Sequence, residues 1–141
     1  MFKFKLVSLS GVKFDGDVHE VVLPTLDGEI GVLENHMPLV SVATNGMIAV
    51  RLKPHDSDND REYFATNGGA IDVADNTVKV LVDEADNAEE LSEAEVKKAL
   101  ERAEKMKSEA KDQVSLEHAQ SLVDRQAIRL QVAGLKRRRK R

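Results

Sequence analysis

Residues Gly28–Gly46, which read GEIGVLENHMPLVSVATNG, decide the fold of this chain. Pro38 fixes its own φ and has no amide hydrogen, so the chain is expected to enter an edge strand or leave a turn there. Asn45 and Gly46 lie between apolar runs and predict a hairpin turn, because both residues tolerate positive φ. The stretch therefore predicts a strand, an exposed loop with Glu34–His36 at its tip, a second strand and a turn.

The apolar residues between Phe2 and Ala85 alternate with a period of two. Short runs of this kind are separated by turn residues at Asp15-Gly16-Asp17, Asp27-Gly28, Asn45-Gly46, Gly68-Gly69 and Asp75-Asn76. Such spacing predicts an antiparallel sandwich or flattened barrel of about eight to ten short strands. A parallel sheet is not expected, because no helical stretch is available as a crossover. The glycine pair predicts a bulge or a close backbone approach within a strand.

After Glu90 the hydrophobic period changes to 3.6. Ser92 and Glu95 form a capping-box pattern that predicts a first helix from about Ser92 to Lys111. A break follows, with Ser115 as the expected N-cap of a second helix that closes near Gly134. The short connection predicts an antiparallel helical hairpin. Its stripes are rich in alanine and gain little from burial, so we expect the hairpin to hold weakly and to be suited to moving.

The charge distribution supports a domain boundary at the same place. Residues 1–90 contain 7 Lys and Arg against 17 Asp and Glu, whereas residues 91–141 contain 14 against 8. We therefore predict a β-domain at residues 1–87 and a helical domain at residues 88–141. At 41% hydrophobic and 33% charged residues, the chain has the composition of a folded, soluble protein. It has no apolar run of the ~18–20 residues that cross a bilayer and no signal-peptide pattern, so a cytosolic location is expected.

The sequence offers no constellation for catalysis or for a metal. Cysteine is absent, and the four histidines do not have metal-ligand spacing. Asp56–Asp60 imitates the start of a calcium loop, but Arg61 replaces the sharp-turn glycine, so a solvated acidic loop is expected. No nucleophile with a companion base can be assembled. We expect a non-catalytic protein without a cofactor.

The last six residues, Lys136–Arg141, are all cations. They are consistent with a solvated terminus, with a contact to an acidic protein surface, or with nucleic-acid binding. Aromatic residues make up only 4% of the chain and the first domain is acidic, which disfavours nucleic acid. A β-sandwich binding module whose basic helix contacts nucleic acid is kept as the rival interpretation.

Three stretches resemble the epsilon subunit of F-type ATP synthases. Val7–Val18 resembles the family's opening strand pair, and Gly68–Leu81 resembles its closing strands. The most specific similarity is in Gly28–Gly46, with Gly-Glu-x-Gly followed by His36-x-Pro38-Leu39. The resemblance implies a sandwich of about ten antiparallel strands followed by a C-terminal helical hairpin.

The same resemblance implies partners and roles. It implies a rotor subunit of the central stalk, with a sandwich face on the gamma subunit and Glu29 and His36 at the membrane rotor ring. Its helices could extend and restrain ATP hydrolysis through a basic face, for which Arg125, Arg129, Lys136 and Arg137 are candidates, against acidic segments of the catalytic beta subunits. It also implies a location at the cytoplasmic face of the inner (plasma) membrane, reached only through the complex.

The chain departs from the family where some members bind ATP, at the start of the first helix. Ser92 and Glu95 stand where that pattern has Asp and Arg, so an anion would lose a cation and meet a carboxylate. We therefore expect no ATP binding. The acidic loop Pro54–Arg61 and the more basic tail are further departures.

Overall fold

The computed structural model describes residues 1–139, and of residues 136–139 it describes the backbone alone. Within that part, eight strands precede two helices. The strands are β1 (Phe2–Ser8), β2 (Gly11–Val18), β3 (Glu20–Thr25), β4 (Gly28–Val32), β5 (Leu39–Arg51), β6 (Glu62–Ala74), β7 (Thr77–Val82) and β8 (Ala85–Asn87). The helices are α1 (Glu93–Glu109) and α2 (Gln113–Arg139), and short 3₁₀ turns occur at Asp58–Asp60 and Ala88–Glu90.

The strands form one sheet that folds over itself. Their order is β2-β1-β7-β6-β5-β3-β4, with β8 paired to β6. Phe4 at one end of this order and Leu23 and Val32 at the other are buried in the same core, together with Ile48 and Ile71 from the middle. Strands from both ends can share a core only if the sheet closes into two layers. The expected β-sandwich is therefore confirmed.

The hairpin turn expected at Asn45-Gly46 is wrong. Strand β5 runs straight through these residues, which pair with Asn67 and Thr66 of β6. Gly46 is buried, and a Cβ there would lie 2.7 Å from Cβ of Pro24, so this glycine provides close packing instead of a turn. Similarly, Asp15-Gly16-Asp17 lies inside β2. Two long strands of 13 residues, β5 and β6, thus span both layers, which brings the number of strands to eight instead of about ten.

The glycine pair in β6 confirms the expected close backbone approach. Gly69 has a φ of +154°, and a Cβ there would collide with the carbonyl oxygen of Leu81 on the neighbouring β7. Gly68 also has positive φ, +74°, but has more space. In β6 the side chains that enter the sandwich core have even numbers before the glycine pair, such as Phe64, and odd numbers after it, such as Ile71. The glycines therefore lie where the long strand turns its opposite side chains toward the core.

One strand pairing differs from the antiparallel expectation. Strands β1 and β7 are parallel, with Phe4 opposite Val78 and Leu6 opposite Val80. No helical crossover is needed, because the intervening strands β2–β6 connect them around the sandwich. The turn at Asp75-Asn76 is confirmed: φ is 53° and 55° there, as a two-residue type I′ hairpin requires.

The helical hairpin is also confirmed, with corrections at its connection. Ser92 caps α1, since its hydroxyl accepts a hydrogen bond from the amide of Glu95 at 3.4 Å. The cap of α2 is Asp112 and not Ser115, because the Asp112 carboxylate accepts the amide of Ser115 at 2.7 Å. Helix α2 continues past Gly134, which is helical, to Arg139. The boundary at residues 87 and 88 stays a prediction.

The hairpin lies folded down on the sandwich. Val132 and Ala133 of α2 are buried in a second apolar cluster with Val96 of α1 and Tyr63 and Ala65 of β6. Ala49 of β5 and Ala88 and Leu91 from the connecting segment are the other buried members of this cluster. Five larger or branched side chains pack against it half-buried: Val22, Met47, Ile128, Leu130 and Leu135.

Candidate interaction sites

An exposed apolar row crosses the outer face of five strands. Its members are cross-strand neighbours, in the order Val42, Ala70, Leu81, Val7 and Val12. The exposed fractions of Val42, Leu81 and Val12 are 52%, 58% and 57%. Isolated apolar side chains are common on surfaces, but five in register on one sheet face form a patch of the kind that partners cover. We call these residues the apolar row.

A charged row lies beside the apolar row. Asp72 is opposite Lys79, Lys79 is opposite Lys5, and Lys5 is opposite Asp15. Exposed charges of both signs around an apolar centre are the arrangement found at protein interfaces, where they fix orientation more than they add affinity. The sequence showed no isolated signal for this site. The corresponding sequence feature is that Val40 and Val42 make β5, and Leu81 makes β7, apolar on both faces.

The two residues expected at the rotor ring are not brought together. Glu29 lies exposed at the start of β4, opposite Pro24. His36 lies in the connection after the other end of β4, half-buried, with its Nδ1 2.8 Å from the carbonyl oxygen of Met37. Three residue steps separate Glu29 from the end of the strand, which is about 10 Å. No hydrogen bond or ion pair joins the two residues in the part of the chain that the structure describes.

The loop that carries His36 is anchored on both sides. The amide of Asn35 donates to Oδ1 of Asn76 at 2.7 Å, and Glu34 lies 3.1 Å from the terminal amino group of Met1. Leu33 and Met37 of this loop are 50% and 73% exposed. Sequence reasoning gave a role to the polar tip and none to these apolar flanks, although they are visible in the quoted stretch.

Arg125 and Arg129 face the sandwich. Arg125 is ion-paired with Glu84, and Nε of Arg129 lies 3.5 Å from Oδ2 of Asp86. The arginine side chains are only 30% and 25% exposed. These charges are therefore not largely solvated in the folded-down hairpin, because sandwich carboxylates lie directly under the helix. The side chains of Lys136 and Arg137 lie outside the described residues.

A small polar cleft surrounds these ion pairs. Its walls are Ala65, Thr66, Asn67, Glu84, Asp86, Arg125 and Arg129. Nε of Arg125 is buried without a hydrogen-bond partner in the protein, and so is Oε1 of Gln126 on the same helix, whereas Nε of Arg129 has only its long approach to Asp86. Unpartnered buried donors and acceptors cost free energy. The folded-down hairpin is thus held by charge, but not in a fully satisfied polar environment.

The acidic loop is exposed, as expected, but it is pinned at its base. Oδ1 of Asp58 lies 3.2 Å from Nη2 of Arg51 and 3.3 Å from Nε of Arg61, and both arginines are also ion-paired with Glu20. The hydroxyl of Tyr63 donates to the carbonyl oxygen of Asp58 at 2.8 Å. Arginines thus occupy the carboxylate of Asp58, whereas those of Asp56 and Asp60 accept hydrogen bonds from the amides of Lys53 and Ser57.

The described part of the chain can also be compared with the requirements of a metal site and of the ATP-binding pattern at the start of α1. No group of three or more His, Cys, Asp or Glu side chains there could hold a metal ion. Ser92 and Glu95 are exposed and lie at the start of α1.

Hydrogen bonds from the amide and then the hydroxyl of Ser115 lower the pKa of Asp112 below its ordinary value of 3.8. No described helix is both long enough and apolar enough to span a membrane.

Comparisons with known proteins agree on one family. Residues 1–88 match the model of the ATP synthase delta/epsilon chain β-sandwich domain. The ATP synthase epsilon chain of Persephonella marina is 36% identical over 139 residues, covering 96% of this chain and 98% of the relative. That of Sulfurihydrogenibium sp. is 34% identical over 137 residues, covering 96% and 99%.

A solved structure supports the same fold. A chain of the Euglena gracilis mitochondrial ATP synthase, in a complex described as OSCP/F1/c-ring, aligns with a TM-score of 0.77 at 23% identity. The alignment covers 92% of this chain and 79% of that chain. It therefore includes the helices as well as the sandwich.

Proposed function

Because this chain belongs to the family of ATP synthase epsilon chains, which are non-catalytic subunits, we propose that it is a rotor subunit of the central stalk. In this role it couples the gamma subunit to the membrane rotor ring of a proton- or sodium-translocating F-type synthase. The observation that carries this proposal is the apolar row, an exposed set of apolar side chains that the hairpin's apolar cluster does not include. The family assignment leaves the rival nucleic-acid module without support.

The apolar row is proposed as the contact with gamma. Val42 and Leu81 present exposed side chains on a rigid sheet, so covering them costs little conformational entropy. The neighbouring charges, such as Lys79 and Asp72, would fix the orientation of the partner. A rigid contact of this kind suits a subunit that must rotate with gamma without slipping.

The test is assembly with gamma. The double change Val42→Ser and Leu81→Ser is expected to reduce recovery of gamma with this chain by at least tenfold, because it removes two large exposed anchors of the apolar row. Val114→Ser on α2 is the matched control, since Val114 is 78% exposed but lies on the hairpin. Unchanged recovery with the double variant, together with an unchanged circular-dichroism spectrum, would rule out this face.

The rotor-ring contact is proposed for the end of the sandwich where Glu29 or His36 lies. The two lie at opposite ends of β4, so cysteines placed singly at each position can separate the ends. The chain has no native cysteine, which makes such labelling clean. Crosslinking to the ring from one position identifies the ring-facing end; crosslinking only to gamma from both contradicts the proposal. The ring contact would place the subunit at the cytoplasmic face of the inner (plasma) membrane.

The restraint of hydrolysis is proposed for an extended hairpin. In that form Arg125, Arg129, Lys136 and Arg137 would face acidic segments of the catalytic beta subunits. Several charges acting together in a partly desolvated contact strengthen one another. Removing residues 135–141, or changing Arg125 and Arg129 to alanine, is expected to raise ATP hydrolysis by the assembled complex. Hydrolysis that is unchanged in both variants would make the basic face a passive surface.

A further inference from the structure

The two arginines proposed to act on the catalytic subunits are already occupied in the folded-down hairpin. Arg125 is ion-paired with Glu84, and Arg129 with Asp86. We infer that Glu84 and Asp86 form a carboxylate latch, which competes for these arginines with the acidic surface outside the chain and sets how often the hairpin opens. This inference rests on the proposed restraint of hydrolysis.

The spacing of the latch matches that of the helix. Glu84 immediately precedes β8 and Asp86 lies within it, on either side of the buried Ala85, and both carboxylates face α2, as their ion pairs show. Two strand steps cover about 6.6 Å. Arg125 and Arg129 are four residues apart on one helix face, which is a rise of about 6 Å. The two carboxylates and the two guanidinium groups can therefore pair simultaneously, one to one.

The ion pairs of the carboxylate latch are accessible to water and can therefore be broken when the hairpin opens. All four side chains keep between 19% and 34% exposure, so water can replace each partner during opening. Nε of Arg125 has no hydrogen-bond partner in the protein, and Nε of Arg129 has only the 3.5 Å approach to Oδ2 of Asp86. The apolar part of the docking surface includes small side chains, Ala49, Ala65 and Ala133, beside larger ones such as Tyr63 and Val132. The two modest ion pairs therefore add to apolar docking and can adjust how firmly the hairpin is held.

A stripe of residues along α2 adds to this balance. Ala119, Val123, Gln126, Leu130 and Ala133 follow one another at spacings of four and three along α2, as in a helix-packing stripe. Gln126, at the centre of that stripe, is only 9% exposed and its Oε1 has no partner in the protein. A buried polar group in such a position lowers the stability of the packed state.

Competition for the same arginines predicts opposite effects on the two sides of the latch. Neutralising the carboxylates frees the hairpin and leaves the arginines available, so inhibition should increase. Neutralising the arginines also frees the hairpin but removes the groups that act outside, so inhibition should decrease. A helix that is merely docked by apolar contacts would show neither difference.

The experiment measures hairpin closure and hydrolysis separately. In the full chain, Asn67→Cys and Ser121→Cys, which line a common groove between sandwich and α2, report closure by the yield of a short thiol crosslinker. Glu84→Gln with Asp86→Asn is expected to shift closure toward the open form by about two- to twentyfold, since each partly exposed pair contributes a modest amount. Asp83→Asn is the matched control, because Asp83 is exposed and its side chain forms no ion pair with the described part of α2.

A charge exchange completes the test. Glu84→Arg with Arg125→Glu should restore closure relative to either single change, because opposite charges again face each other. An unchanged crosslink yield in the neutral double variant, or no restoration by the exchange, would overturn the latch. If closure falls as expected while hydrolysis by the assembled complex stays the same, the latch stands and the proposed restraint of hydrolysis fails.

Discussion

Val132 offers a direct measure of how firmly the hairpin is held. Its side chain is 0% exposed and lies in the cluster that joins α2 to the sandwich. Val132→Ala removes two methylene equivalents, worth about 0.8 kcal/mol each on transfer, and leaves a small cavity. Docking should weaken by about 1.5–3 kcal/mol. Since about 1.4 kcal/mol is a factor of ten, the open-to-docked ratio should rise roughly 10- to 100-fold.

Native-state hydrogen exchange can resolve this change by element. The amides of α2 should lose about 10- to 100-fold protection, whereas those of β1 and β7 should keep theirs, because their core does not include Val132. Val114→Ala is the matched control: the same substitution on the same helix at a side chain that is 78% exposed should change little. Equal loss of protection in helix and strands would show that hairpin and sandwich unfold as one unit and would refute separate docking.

Three further predictions concern single sites. Gly69→Ala should destabilise the fold by about 2–4 kcal/mol, because its Cβ meets the Leu81 carbonyl at positive φ, whereas Gly68→Ala should cost only about 1–2 kcal/mol of backbone strain; urea unfolding compares them. The lowered pKa of Asp112 means that its cap stabilises the start of α2 above pH 3.8 and loses this effect as the pH falls through the lowered value; helix circular dichroism during acid titration should show the loss in the native chain and not in Asp112→Asn. Millimolar ATP should not raise the melting temperature, given Ser92 and Glu95 at the start of α1; a shift of several degrees would contradict this.

The fold was predictable where local chemistry and tertiary structure agree. Asp75-Asn76 has one low-energy use between two apolar, alternating segments, a tight hairpin, and the structure has it there between β6 and β7. Asn45-Gly46 shows the same local signal, but the space beside Pro24 requires a residue without a Cβ at position 46. That requirement arises from a strand distant in sequence. Turn chemistry alone could not distinguish a glycine needed for φ from a glycine needed for space.

The interaction sites were predictable to a smaller extent. The pairing of Arg125 with Glu84 joins residues 41 positions apart, and no periodic pattern within either segment predicts it. The face shared by Arg125 and Arg129 was predictable from their spacing of four, but the surface beneath that face was not. The apolar row was not predictable for the same reason, since Val42 and Leu81 come onto one row only through the register of β5, β6 and β7.

The position of the hairpin therefore depends on a comparison between two sets of carboxylates. Apolar docking through residues such as Val132 acts in the folded-down form alone, and the unpartnered Gln126 opposes it. The arginines, in contrast, can be paired in either form, so their contribution to the equilibrium is the difference between the two pairings and not the strength of either. Weakening Glu84 and Asp86 then has the same consequence as strengthening the outside acidic surface. A subunit with this arrangement can be tuned in either direction by changes in the sandwich alone, without altering the helix that makes the outside contact.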